Sequence, residues 1–144
     1  MSPGAALAAG GPVAAVIDGF QPRAAQQAMA ERVGAVIETR GRLVCEAGTG
    51  TGKTFAYLVP ALLAGTRTIL STATRTLQDQ LFHTDLPRVR AALGSEASIA
   101  LLKGRSNYLC LYRMERAAGD PLLGAREEQE LARVTAWSRE TVLG

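Results

Sequence analysis

Lysine is nearly missing from this chain. Of its 16 basic residues only Lys53 and Lys103 are lysine, and the rest are arginine. A lysine kept in such company points to a role that needs a compact ammonium rather than a planar guanidinium. Cysteine is as scarce, with Cys45 and Cys110 far apart, which excludes a disulfide scaffold and points to a reducing, cytoplasmic interior. No apolar run approaches the ~20 residues of a membrane span. No positive charge precedes Arg23, so the Ala-rich opening lacks the basic start of a secretory signal. Charge of one sign is also in short supply: a net +3 is compatible with a nucleic-acid partner without requiring one.

What is present is about one domain's worth of chain, 144 residues of which 47% are hydrophobic, enough for a core. Residues 1–17 are rich in Ala, Gly and Pro and read as a mostly flexible N-terminus. From residue 18 to 102, short apolar runs at Arg42 to Glu46, Thr68 to Ala73 and Ser98 to Leu102 alternate with helical patterns. That alternation predicts an α/β fold, a parallel sheet with crossover helices. From 103 to 144 the strand pattern stops and two helical stretches remain, about Asn107 to Ala118 and Ala125 to Thr141. No internal repeat occurs.

Between the first apolar run and the helix that follows it lies Glu46-Ala-Gly-Thr-Gly-Thr-Gly-Lys-Thr54. Glycines there let successive backbone N–H groups curl inward toward phosphate oxygens, and the next helix adds its positive N-terminal end. Ala47, Gly48, Thr49, Gly50, Thr51 and Gly52 would form the cradle. Lys53 would reach the outer phosphates, and Thr54 would set its hydroxyl on a bridging magnesium ion (Mg2+). These two are the candidate catalytic residues, and ATP is the expected ligand. A plain connector between a strand and a helix could also be rich in Gly and Thr.

Upstream, Phe20-Gln-Pro-Arg-Ala-Ala-Gln26 puts Pro22 where a helix could start. Arg23 and Gln26 would then share one face. The Gln26 amide can donate to and accept from an adenine edge, with Phe20 over the ring and Arg23 beside it; an ordinary amphipathic helix would carry the same residues. Downstream, the second apolar run ends in Ser71, Thr72 and Thr74, and Thr74 is placed to cap a helix beginning at Arg75. Thr72, Thr74 and Arg75 suit contacts to a phosphodiester backbone, although for Thr74 capping alone would account for the residue.

Taken together, Phe20 to Met29, Ala47 to Thr54, Ser71 to Leu81 and Lys103-Gly-Arg-Ser-Asn-Tyr-Leu-Cys110 resemble the motif series of the DinG and XPD group of superfamily 2 iron-sulfur DNA helicases. Alanine at 47, where the strict phosphate-loop pattern has glycine, is common in helicases. The resemblance implies a RecA-like phosphate-loop ATPase domain over 18–102 and the start of an iron-sulfur cluster domain over 103–144. It implies ATP hydrolysis coupled to translocation on single-stranded DNA and duplex unwinding. It also implies that Cys110 is the first of four ligands of a 4Fe-4S cluster. The other three ligands, the acidic motif that activates water and the second motor domain have no counterpart in these residues, so the chain is expected to be the N-terminal part of such a helicase and inactive alone. Cys45 reads as a core thiol within the first strand. Two alternatives stay open: another phosphate-loop NTPase, or a non-catalytic nucleotide- or partner-binding module.

Overall fold

Helices carry all of the regular structure described. The computed structural model describes residues 1–141, and its first unit, Met1–Ala100, is built from six helices. They are α1 (Pro3–Ala6), α2 (Pro12–Val16), α3 (Ala24–Thr39), α4 (Lys53–Ala64), α5 (Arg75–Gln80) and α6 (Leu86–Leu93), with a π-helical turn, Leu81–Asp85, joining the last two. The long pair α3 and α4 pack on each other, α1 lies against both, and α2 lies against α6.

Each boundary has a local cause. α3 starts at Ala24 with Arg23 as its cap, so Pro22 stands just outside the helix rather than at its first position. Arg40 closes it with φ 52, its N–H donating to the carbonyls of Val36 and Ile37. That left-handed closure is ordinarily left to glycine or asparagine. α4 runs between Gly52 and Gly65, both at positive φ, and keeps its course through Pro60, which removes one helix N–H and is buried against the core. Thr74 caps α5, its hydroxyl oxygen accepting from Leu77 N at 3.3 Å.

The core consists of Ala6, Leu7, Val13, Ala30, Ala56, Leu58, Val59, Leu81 and Val89. Leu7 and Val13 come from the Ala/Gly/Pro-rich opening, read from sequence as mostly flexible but found here as two short helices seated on the core. Glu31 of α3 holds the first of them: its Oε1 accepts from Ser2 Oγ at 2.6 Å and from Gly4 N at 2.8 Å.

The parallel sheet expected from sequence is not formed, and with it goes the α/β, RecA-like assignment. No strand occurs among the described residues. The three apolar runs lie outside the helices, with Val44 101%, Ile69 89% and Leu102 82% exposed. A parallel strand is stable only when neighbours complete its hydrogen-bond ladder and cover both faces. In this unit the apolar helix faces pack on one another instead and leave the runs outside. Cys45, read as a core thiol in the first run, is consequently exposed.

The second unit begins at Leu101. It holds a single 3-10 turn (Arg105–Asn107), α7 (Leu111–Ala118) and α8 (Ala125–Glu140). Within it the Tyr108 hydroxyl accepts from Lys103 N at 2.8 Å, and Glu127 accepts from Gly124 N at 2.9 Å to close the start of α8. No side chain of α7 or α8 is buried.

Candidate nucleotide site

The glycine loop enters α4 through backbone that only glycine takes without strain. Gly50 has φ 78 and Gly52 φ 81, the left-handed region where a Cβ is penalised. The two differ in their surroundings. A Cβ on Gly50 would meet nothing within 4 Å, whereas one on Gly52 would overlap the Gln26 amide, 2.9 Å from its Cδ. Thr51 Oγ1 donates to Gly48 O at 2.9 Å and tightens the turn. Lys53, the first residue of α4, donates from Nζ to the carbonyls of Ala47 and Gly48 at 2.7 Å each. Its ammonium is thus held on the loop, beside the helix N-terminus.

The start of α3 braces this loop from the other side. Gln26 Nε2 donates to Gly52 O at 2.9 Å, and the Arg23 guanidinium donates to Gly50 O. Because a carbonyl can only accept, the nitrogen of the Gln26 amide must face Gly52. The Gln26 side chain is nearly buried, 4% exposed, and its Oε1 has no hydrogen-bond partner. Phe20 packs on Phe55, ring centroids 6.4 Å apart and tilted by 40°. The structure therefore gathers Phe20, Arg23 and Gln26 around the loop of Ala47 to Thr54, with Thr49 exposed in its turn.

Thr54 adds a feature that the sequence reading missed. Tyr57 follows one turn on along α4 and is half-buried. Burial pushes its phenol above its ordinary value, the Thr54 side chain pulls the other way, and the Asp85 carboxylate adds to the rise. Asp85 is itself buried, and its Oδ2 accepts from Gln80 Nε2 at 3.1 Å. A signal for this acid was available. Leu77, Leu81, Asp85 and Val89 recur every four residues, and a carboxylate on an apolar stripe is an anomaly to be explained.

The remaining candidates stand apart from the loop in the sequence. Thr72 is half-buried and donates to Thr74 O at 3.4 Å, while Thr74 and Arg75 are exposed at the start of α5. Cys110 is exposed immediately before α7. Among the described residues no three or more His, Cys, Asp or Glu side chains gather as they would around a metal ion. No helix described is long and apolar enough to cross a membrane.

Comparison with known proteins bears on this geometry. The family model of the DEAD/DEAH box helicases matches residues 21–118, from just before α3 to the end of α7. The chain is 52% identical over 129 residues to the ATP-dependent DNA helicase YoaA of Haemophilus influenzae, covering 89% of this chain and 20% of that protein. It is 50% identical over 137 residues to YoaA of Escherichia coli, covering 93% and 21%. Against the ATP-dependent helicase DinG of Mycobacterium tuberculosis it is 39% identical over 144 residues, covering 85% and 22%. The chain thus spans about a fifth of the length of these relatives. No solved structure matches it.

Proposed function

Because this chain belongs to the DEAD/DEAH box helicase family, we propose that the loop from Ala47 to Thr54 binds the phosphates of ATP with magnesium, as part of an ATP-dependent helicase that moves on single-stranded DNA and opens duplexes. The observation that carries this is the loop itself. Two left-handed glycines lead into a helix N-terminus with the Lys53 ammonium held on the same backbone. Backbone N–H groups, a helix dipole and one ammonium are the donor set that phosphate oxygens require.

The residues fit the nucleotide in a second respect. Gln26 Oε1 is a buried acceptor without a donor, which costs roughly 1–3 kcal/mol, and an adenine amino group would supply the missing donor. Phe20 offers the apolar face for the ring, and Arg23 and Gln26 keep the loop carbonyls turned toward α3. Thr54 would hold the magnesium ion, which supplies charge neutralisation at the phosphates. Arg75, Thr72 and Thr74 would touch the DNA backbone, with the Arg75 guanidinium the principal contact because Thr74 already serves as the helix cap.

The residues do not fit a 4Fe-4S cluster. Such a cluster needs about four thiolates, the chain has two cysteines, and no metal-holding group is assembled among the described residues. Cys110, a single exposed thiol, cannot hold one alone. Residues 1–17 are proposed as a capping segment, 18–102 as the N-terminal part of the ATP-binding domain and 103–144 as the start of a further domain.

Calorimetric titration with magnesium-ATP tests the reading. Wild type should bind, and Lys53→Ala should weaken binding by roughly 10- to 100-fold, the worth of a hydrogen bond to a charged group. Equal affinities would remove the loop as the site.

A further inference from the structure

The turn before α3 and the first turn of α3 are each tied to the start of α4. Gln26 Nε2 donates to Gly52 O at 2.9 Å, and the Phe20 ring packs on that of Phe55, centroids 6.4 Å apart and tilted by 40°. Lys53 and Thr54, the residues proposed for phosphate and magnesium, are the two that lie between Gly52 and Phe55. Gln26 and Phe20 are the residues proposed for the adenine edge and ring. The pair that would read the base is thus held, at both of its members, by the short segment that would hold the phosphates. Phe20 stands in coil between α2 and α3, where its backbone N–H donates to Ile17 O at 3.1 Å and closes a turn through Gly19 at φ 69. That bond fixes the main chain and leaves the ring direction to side-chain packing. The ring meets Phe55, and both side chains are half-buried against the core.

We propose that Phe55 is a positioning residue for Phe20, and that it sets where the adenine ring lies relative to the phosphates. Phe55 is the third residue of α4 and follows Thr54 directly, so helix geometry fixes its place relative to the phosphate-binding residues. Aromatic rings prefer tilted or offset contacts, with centroids about 4.5–7 Å apart, over a face-to-face sandwich, and the Phe20–Phe55 pair is of that kind. A tilted contact uses one side of the Phe20 ring and holds its angle, which leaves the opposite face for a base to stack on. Without the Phe55 ring, Phe20 keeps its apolar surface and loses its angle. Neither ring carries a donor for phosphate, so the loss falls on the base alone. This inference rests on the loop being the nucleotide site with Phe20 over the base.

The test measures the affinity of magnesium-ATP and of magnesium tripolyphosphate, which has phosphates and no base, for wild type, Phe55→Leu, Phe55→Tyr, Phe20→Leu and the variant carrying both leucines, with Lys53→Ala alongside. Phe55→Leu keeps an apolar side chain and removes the ring. The expected result is ATP affinity reduced about three- to tenfold in Phe55→Leu, the range of one aromatic pair, with tripolyphosphate affinity within about twofold of wild type. Phe55→Tyr keeps the ring and should bind ATP within about twofold of wild type, and the double variant should lose no more than Phe20→Leu, because Phe55 acts through Phe20. Unchanged ATP affinity in Phe55→Leu, with Phe20→Leu and Lys53→Ala impaired, overturns the positioning role while leaving the nucleotide site standing. Equal losses for ATP and tripolyphosphate would mean that Phe55 only packs, and additive losses would mean that it acts apart from Phe20; either overturns the proposal. Failure of Lys53→Ala to weaken either ligand removes the site and the proposal together.

Discussion

Gly50 and Gly52 separate two reasons for glycine that a sequence cannot distinguish. Both adopt positive φ, so alanine at either costs about 1 kcal/mol of backbone strain. Only at Gly52 would the added methyl also strike the Gln26 amide and break its bond to the Gly52 carbonyl. Gly52→Ala is therefore expected to destabilise the chain by at least about 1 kcal/mol more than Gly50→Ala, since it also leaves the buried Gln26 amide without its partner. Urea denaturation of the two variants side by side checks this, and equal midpoints would show that the Gln26 brace is not formed. Lys53, Thr54 and the glycines were legible from their order alone, because phosphate chemistry fixes residue type and spacing. Gln26 was legible as a polar residue near the loop, but its burial and its hold on Gly52 depend on how α3 meets the loop.

Among the elements, the N-terminal pair α1 and α2 was the least legible. Its residues are small and carry no amphipathic stripe, so periodicity had nothing to detect. On α3, Gln27 Nε2 donates to Leu7 O at 3.1 Å, and the Glu31 carboxylate anchors α1 by receiving a hydroxyl from Ser2 and a backbone N–H from Gly4. Removing that acceptor leaves the buried Gly4 N–H without a partner. Glu31→Ala should lower stability by roughly 1–3 kcal/mol, read from chemical denaturation, and should raise the exchange rate of the Gly4 amide. A neutral substitution would mean that α1 contributes nothing to the fold. The start of α4 was legible, since the glycine loop leads into it, and so was the Thr74 cap of α5. The π-helical turn was not, because nothing local marks the one-residue widening that turns Asp85 inward.

For the whole molecule, the longer helices were readable and the sheet was misread. An apolar run such as Thr68 to Ala73 specifies a wish for burial, and only long-range pairing makes it a strand. Here α3, α4 and α6 bury their own faces with α1 and α2, and the runs stay outside, as Val44 and Ile69 show by their exposure. Kinship to DEAD/DEAH box helicases was legible because it rests on motifs, which depend less on tertiary pairing than strands do. With two cysteines in the chain, anaerobic reconstitution with iron and sulfide should yield no stoichiometric cluster, because about four thiolates are needed; a brown product with one cluster per chain would contradict that. The central claim, that the loop of Ala47 to Thr54 with Gln26 is a nucleotide site, is tested most directly by amide chemical-shift mapping during addition of magnesium-ATP. The account predicts the largest shifts at the backbone amides of Gly48 to Thr54 and at the side-chain amide of Gln26. Shifts concentrated elsewhere, or none at saturating nucleotide, would contradict it.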